Sequence, residues 1–240
     1  MTHATPALGL VTIGQAPRTD LLGDILPLLG GLRPVEHGAL DQDVFDGPTG
    51  ERARRAVAPA AGEAPLISRL RDGSSVVLGH DALAPRTRDA VARCEDEGAG
   101  ATLLLCTGSF PPVPATGPLL YAESLVQYGV RAVAGADPVG VVCPHPGQRE
   151  DVRRRWAGVL PGAVRVEPAD PYDRDAPATV AAAARRLAGA GSRWLVLDCV
   201  GYTECMRAAA GRAAAVPVLL ARTLAVRLAA EAASSRTPAR

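Results

Sequence analysis

The sequence predicts an α/β protein made of two similar halves, each with its own parallel sheet, and three observations support this prediction. Short apolar runs rich in Val, Ile and Leu alternate with longer stretches rich in Ala, Leu and Arg, as strands alternate with helices. The strands are apolar throughout, which is typical of parallel strands covered by helices on both faces. The segments "GLVTIGQAPRTDLLGDILPLL" and "GVVCPHPGQREDVRRRWAGVL" also repeat one order of strand, Gly/Pro/Gln loop and helix.

The first half begins with the strand "LGLVTI" (Leu8–Ile13), and "LLGDILPLLG" is the helix after it. A second strand is expected over Ser74–His80, because turn residues precede it. The next helix is expected to begin at Pro85 and end near Gly98, since proline is favoured in the first helical turn and glycine just beyond the last. The strand "ATLLL" then leads to Cys106.

The second half repeats this alternation. The helix "ESLVQYGVRAVA" leads to a strand over Val139–Pro144, followed by the helices "QREDVRRRWAGVL" and "ATVAAAARRLAGAG". The strand "WLVL" then leads to Cys199, and the chain closes with the strand "VPVLLA" and the helix "TLAVRLAAEAAS". We expect this last strand and helix to return to the first half. The predicted domains are therefore residues 1–115 with 215–240, and residues 116–214.

Composition excludes several classes of function. The formal net charge of +1 argues against a nucleic-acid partner, because such proteins concentrate positive charge on one surface. All 26 basic residues are Arg, which excludes a Schiff-base lysine and lysine-anchored pyridoxal phosphate. Five cysteines without CxxC spacing and four histidines without HxxxH spacing predict neither a disulfide framework nor a zinc site. No phosphate-binding loop or GxGxxG turn is present, so nucleotide enzymes fit poorly.

The sequence also predicts where the protein resides. No apolar run approaches the ~20 residues that a membrane span needs. The N-terminal segment lacks the basic and apolar regions of a secretory signal. We therefore expect a cytoplasmic protein without a membrane partner, and a homodimer is left open.

Two cysteines stand in matching places. Cys106 ends an apolar strand and is followed by Thr107-Gly108-Ser109, and Cys199 follows another such strand and precedes Val200-Gly201-Tyr202. In open parallel sheets, ligands bind beyond the carboxyl ends of the strands. Each cysteine alone is explained well enough as a buried thiol. The matched pair instead favours paired chemistry.

The segments "TIGQAPRTD", "HGALD", "LLLCTGSF", "GVVCP" and "LVLDCVGYT" occur in this order along the chain. With them the chain resembles the AroM proteins, which are members of the aspartate/glutamate/hydantoin racemase superfamily. The resemblance implies two pseudo-symmetric α/β domains with the active site in the cleft between them. It also implies one catalytic cysteine from each half, Cys106 and Cys199. The same superfamily includes decarboxylases and maleate isomerases.

The chemistry of racemisation agrees with this assignment. Without metal or cofactor, one group must remove a proton from one face of a stereocentre while a second group protonates the other face. A thiol has an ordinary pKa of ~8.5, which a helix N-terminus or a nest of backbone N–H groups lowers. The nests formed by Thr107-Gly108-Ser109 and Val200-Gly201-Tyr202 would also hold a substrate carboxylate and the enediolate that develops from it. Thr12, Gln15 and Arg18 follow the first strand and are further candidates to bind that carboxylate.

The sequence therefore predicts a cofactor-independent racemase or epimerase of a small carboxylate-bearing substrate. A decarboxylase, a maleate-type isomerase and a non-catalytic small-molecule sensor remain as alternatives. Cys143 and Gln148 are further candidates to line the cleft. For Asp198 three roles remain open: it could orient a loop, tune the neighbouring thiol or make a structural hydrogen bond. Tyr202 is expected either to donate to an oxyanion or to pack at the mouth of the cleft.

Overall fold

The computed structural model describes residues 5–235, which form two compact units. One unit comprises the described residues up to Ala122 together with those from Ala225 onward, and the other comprises Glu123–Leu224. Each unit contains one four-stranded parallel sheet.

The elements of the first unit alternate along the chain, with a hairpin inserted between the second and third strands of the main sheet. In chain order they are β1 (Ala7–Thr12), α1 (Thr19–Ile25), β2 (Arg33–Gly38), α2 (Gly47–Val57), β3 (Leu66–Arg69), β4 (Ser75–Leu78), α3 (His80–Asp96), β5 (Ala101–Leu105) and β6 (Leu119–Tyr121). The main sheet has the order β2-β1-β5-β6, and β3 pairs with β4 in a separate antiparallel hairpin. The core of the unit is formed by the apolar side chains of β1, β5 and α3 together with those of the hairpin.

The second unit has the same plan without the hairpin. In chain order the elements from Ala122 onward are α4 (Ala122–Ala134), β7 (Val139–Cys143), α5 (Arg149–Ala157), β8 (Val164–Pro168), α6 (Ala176–Gly189), β9 (Trp194–Leu197), α7 (Glu204–Ala214), β10 (Val218–Leu220) and α8 (Ala221–Ser234), of which α8 runs into the first unit. The sheet has the order β10-β9-β7-β8. Helix α6 packs its Ala-rich face into this core.

The two sheets share one topology. Counted along the chain within each sheet, the first strand is flanked by the second and third, and the fourth lies beyond the third. The third strands are β5 and β9, which are both internal to their sheets and both lead to one of the paired cysteines. The α/β fold with two pseudo-symmetric parallel-sheet halves is therefore confirmed.

The helix that follows the last strand of each sheet is assigned to the other unit. Helix α4 follows β6 of the first sheet, yet its residues from Glu123 belong to the second unit. Helix α8 follows β10 of the second sheet, yet its residues from Ala225 belong to the first unit.

The expected return of the last strand to the first half does not occur. Strand β10 pairs in parallel with β9, with Val218 opposite Leu195 and Leu220 opposite Leu197. The short helix α7 joins these two strands, and a strand–helix–strand crossover of this kind returns to the neighbouring position in the same sheet. The strand therefore completes the second sheet.

Two local expectations also differ from the structure. The predicted strand over Ser74–His80 ends at Leu78 and belongs to the β3–β4 hairpin, because it pairs antiparallel with Leu66–Arg69. Helix α3 begins at His80, so Pro85 lies inside it rather than in its first turn. Within residues 5–235, every helix is too short or too polar to span a lipid bilayer.

Candidate functional site

The loop around Cys106 begins where β5 ends. The thiol is largely buried, and the backbone N–H of Gly108 donates a hydrogen bond to its Sγ atom at 3.3 Å. A Cβ atom at Gly108 would lie 2.4 Å from Cδ2 of Leu66, so the Leu66 side chain would have to move to admit it. Glycine therefore lets the loop lie against the hairpin while its N–H faces the sulfur.

The loop around Cys199 has the same local geometry. Cys199 is also largely buried, and the N–H of Gly201 donates to its Sγ atom at 3.4 Å. A Cβ atom at Gly201 would lie 2.6 Å from the hydroxyl oxygen of Tyr172, so the Tyr172 side chain would have to move to admit it. Both loops thus read Cys-x-Gly, and in both the glycine N–H is directed at the sulfur of the cysteine two residues earlier.

This arrangement has a chemical consequence. An N–H donor hydrogen-bonds more strongly to a thiolate than to a thiol, so it favours the charged form of the sulfur. Cys106 follows β5 directly, and Cys199 is separated from the end of β9 by Asp198 alone. Each unit therefore presents one such cysteine at the carboxyl end of its third strand.

An arginine that the sequence analysis did not single out donates hydrogen bonds to the backbone of the Cys199 loop. Arg222 lies in the first turn of α8 and is fully buried. Its Nη2 atom donates to the carbonyl oxygens of Tyr202, at 2.5 Å, and Gly201, at 3.4 Å. A basic residue at the start of the closing helix gave no sequence signal, because its contacts are about twenty residues away along the chain.

Asp198 makes the structural hydrogen bond that was one of its predicted roles. Its Oδ2 atom accepts the indole N–H of Trp156 at 2.7 Å, and both side chains are buried. Arg155 pairs with Asp151 and Glu123, at 2.8 Å each. Burial lowers the pKa of Arg155, but the negative charges of Asp198 and of these two partners outweigh it and raise that pKa above its usual range.

Tyr202 and Cys143 belong to the core of the second unit. The Tyr202 hydroxyl is fully buried and donates to the carbonyl oxygen of Ala169 at 2.6 Å, so the expected oxyanion donor is already engaged. Burial raises the pKa of Tyr202 well above its ordinary value. Burial, with the charge of Asp198, raises the pKa of Cys143 to about 12, and its S–H donates to the carbonyl of His145. Both groups therefore stay protonated.

The side chain of Gln15 joins three loops of the first unit. Its amide nitrogen donates to the carbonyl oxygens of Leu40, at 3.2 Å, and Asp43, at 3.1 Å. Its amide oxygen accepts the backbone N–H of Arg71 at 3.0 Å. Gln15 is buried, and these bonds explain it as a structural side chain rather than as a carboxylate ligand.

Arg18 is likewise engaged within the first unit. Its Nε and Nη2 atoms form a bidentate pair with Asp20 at 2.8 Å each, while Nη1 donates to Thr12 Oγ1 at 3.3 Å and Ser68 Oγ at 3.4 Å. Burial raises the pKa of Asp20, but hydrogen bonds and charge from Arg18, with the charge of Arg69, hold it below its ordinary value. The motif residue Asp20 thus neutralises Arg18, so Thr12 and Arg18 form one buried structural cluster.

The remaining predicted residues differ in exposure. Ser109 is exposed beside the Cys106 loop, whereas Thr107 and Val200 are buried next to their cysteines. Gln148 is buried at the start of α5. Across residues 5–235, no three His, Cys, Asp or Glu side chains are grouped so that they could hold a metal ion.

The family model for AroM protein matches residues 8–233 of this sequence. The chain belongs to the AroM family. Its first two motifs are joined by a hydrogen bond, because Asp41 of "HGALD" accepts the backbone N–H of Ala16 at 2.8 Å; Asp41 also accepts the N–H of Gly38 in its own motif at 2.7 Å. Among curated proteins, none matches the chain significantly.

Solved structures show what the AroM fold is similar to. Unliganded arylmalonate decarboxylase is 19% identical, with a TM-score of 0.62 over 98% of this chain and 96% of that one. Aspartate racemase from Picrophilus torridus is 10% identical, with a TM-score of 0.61 over 96% and 95%. Allantoin racemase from Klebsiella pneumoniae is 12% identical, with a TM-score of 0.60 over 96% and 88%. At such identities these likenesses establish the fold alone, which is the predicted Asp/Glu racemase-like fold.

Proposed function

We propose that this AroM protein is a cofactor-independent racemase or epimerase of a small carboxylate-bearing substrate. The observation that carries the proposal is the matched pair of Cys-x-Gly loops, in which Gly108 and Gly201 direct their N–H groups at Cys106 and Cys199. The likeness in fold to an aspartate racemase and an allantoin racemase supports it, because both names describe inversion at a stereocentre.

In the proposed reaction the two cysteines act on opposite faces of one carbon. One thiolate removes the proton from the carbon next to the substrate carboxylate, and the electron pair of the broken C–H bond moves into the carboxylate to form an enediolate. The other thiol then delivers its proton to the opposite face, and the roles are exchanged in the reverse direction. The glycine N–H groups favour whichever sulfur is the thiolate at each stage.

Binding of the substrate carboxylate is proposed for the segments next to the two cysteines. Ser109 is exposed and offers a hydroxyl and a backbone N–H, and in the second unit the backbone N–H of Val200 is the proposed donor, since that of Gly201 is engaged with Cys199. Gln15 and the Tyr202 hydroxyl are not part of the proposed carboxylate site, because both are hydrogen-bonded to backbone groups inside their own units. Arg18 holds Thr12 and Ser68 and shares its charge with Asp20.

A decarboxylase is the second candidate, favoured by the likeness in fold to arylmalonate decarboxylase. Loss of carbon dioxide would leave the same enediolate, which needs one proton donor only. A single thiol would then be sufficient.

The experiment uses amino acids, hydantoins and malonates in deuterated water, with Cys106→Ser and Cys199→Ser as variants. Both should abolish racemisation, since a serine hydroxyl is a far poorer base near neutral pH. Each should still exchange the proton of one enantiomer, and the surviving enantiomer should differ between the two. Cys205→Ser is the matched control, because Cys205 is an exposed thiol on α7. If the protein releases carbon dioxide and one of the two cysteines is dispensable for turnover, the decarboxylase proposal replaces the racemase proposal. Absence of any turnover would contradict both.

A further inference from the structure

The second unit contains a cavity of about 500 Å³ along β8, the edge strand of its sheet. It lies between the first turns of α5 and the last turns of α6, and none of its lining residues belongs to the Cys199 loop. Its charged lining consists of four arginines and two glutamates, namely Arg149, Arg153, Arg165, Arg186, Glu150 and Glu167. Positive charge therefore exceeds negative charge in a concave surface of ligand size.

Ion pairing accounts for only part of this charge. Arg153 forms a bidentate pair with Glu150 on α5, at 3.0 and 2.7 Å, and so neutralises it. Arg149 and Arg186 share one carboxylate, since Glu167 accepts from Arg149 Nη2 at 3.1 Å and from Arg186 Nε at 2.8 Å. Three elements thus contribute to the cavity, but one carboxylate serves two guanidinium groups.

Arg165 has no such partner. Its Nη1 atom is shielded from solvent and has no hydrogen-bond partner among residues 5–235, although the residue as a whole is partly exposed. A guanidinium nitrogen that is shielded from water and lacks an acceptor is costly, and a bound anion would supply that acceptor. The excess charge of the cavity therefore comes from Arg165 and from the Arg149–Glu167–Arg186 group.

Glu167 also holds the two other arginines in place. Each gives one N–H to the carboxylate, and both side chains are more than half exposed. Their remaining N–H groups have no partner among the described residues, and the two side chains come from different helices, α5 and α6. A tetrahedral phosphoryl group, with oxygens in several directions, suits donors arranged in this way better than a planar carboxylate does.

We propose that this cavity binds a phosphorylated small molecule, at a site separate from the two cysteines. Arg149, Arg165 and Arg186 bind its phosphoryl group, and Glu167 preorganises two of them. The cavity volume, about 500 Å³, also leaves room for the organic part of such a ligand.

The test is calorimetric titration of the whole chain with pyrophosphate and, separately, with succinate, at constant ionic strength. Pyrophosphate should bind saturably and more tightly than succinate. Arg186→Ala and Arg149→Ala should each weaken it by about tenfold or more, because each removes charge-assisted hydrogen bonds. Arg153→Ala, whose guanidinium is neutralised by Glu150, should change the affinity by less than about threefold. The matched control is Arg212→Ala, which removes an exposed arginine of α7 outside the cavity and should leave the affinity unchanged.

Circular dichroism verifies that each variant is folded. Three results would overturn the proposal: no saturable binding by the folded wild-type protein, an equal loss in Arg212→Ala and Arg186→Ala, or equal affinity for succinate and pyrophosphate. The cysteine variants separate this site from the proposed reaction, since Cys199→Ser should bind pyrophosphate as the wild type does.

Discussion

Trp156→Phe should destabilise the second unit far more than the same change at Trp194. The indole N–H of Trp156 donates to the Asp198 carboxylate at 2.7 Å, and both side chains are buried. A hydrogen bond to a charged group contributes about 1.5–3 kcal/mol, and the cavity left by the missing ring atoms adds about 1 kcal/mol. The free energy of unfolding should therefore fall by about 3 kcal/mol.

Trp194 is a matched control, because these two tryptophans are the only ones in the chain and both lie in the second unit. Its indole N–H reaches Asp137 at 3.4 Å on an exposed surface. A bond of this kind contributes little, so Trp194→Phe should cost less than about 0.5 kcal/mol.

The assay is urea unfolding followed by circular dichroism, with the remaining indole as a fluorescence probe in each variant. In an Asp198→Asn background, Trp156→Phe should cost about 1 kcal/mol less than in the wild type, because the acceptor is then neutral. A cost for Trp156→Phe below about 1 kcal/mol, or equal to that of Trp194→Phe, would refute the assigned role of the Trp156–Asp198 hydrogen bond.

Two further predictions concern titration. Burial raises the pKa values of Cys94 and Cys143 to about 12. Iodoacetamide at pH 8 should therefore modify the exposed Cys205 of the native protein and leave these two cysteines intact. Peptide mass spectrometry measures the alkylation, and modification of Cys94 or Cys143 would contradict this prediction. The pKa of Asp20 is depressed by Arg18, so its stabilising effect should be complete above the unfolded value of about 4 and be lost as the pH falls through the lower folded value. The difference in unfolding free energy between wild type and Asp20→Asn should thus shrink from pH 7 to pH 2.5, and a constant difference would count against the Arg18–Asp20 pair.

The halves and both cysteine positions could be predicted because each depends on local pattern. Continuous apolar runs mark internal parallel strands, and the Cys-x-Gly segments follow two of them directly. The hydrogen bonds from Gly108 and Gly201 to sulfur span only two residues, so a loop of this kind could be predicted from the sequence.

The partners of the polar candidates could not be predicted, because they come from distant segments. Gln15 meets Leu40 and Arg71, which are 25 and 56 residues away. A glutamine side chain can bind a substrate or join loops of the fold, and only its tertiary contacts distinguish these two roles. Arg222 was missed for the same reason, since its contacts with the Cys199 loop span 20 and 21 residues.

Because α4 and α8 are assigned to the unit opposite the strand that each follows, the order of synthesis matters for folding. By Tyr121 all strands of the first unit have been synthesised, but its last helical segment begins at Ala225. Domains that are continuous in sequence fold from the N-terminus as they emerge from the ribosome. Here the first unit is the first to be started, and it is completed only after every strand of the second unit exists. The first unit is therefore discontinuous in sequence, and it cannot be completed until residues 225–234 have also left the ribosome.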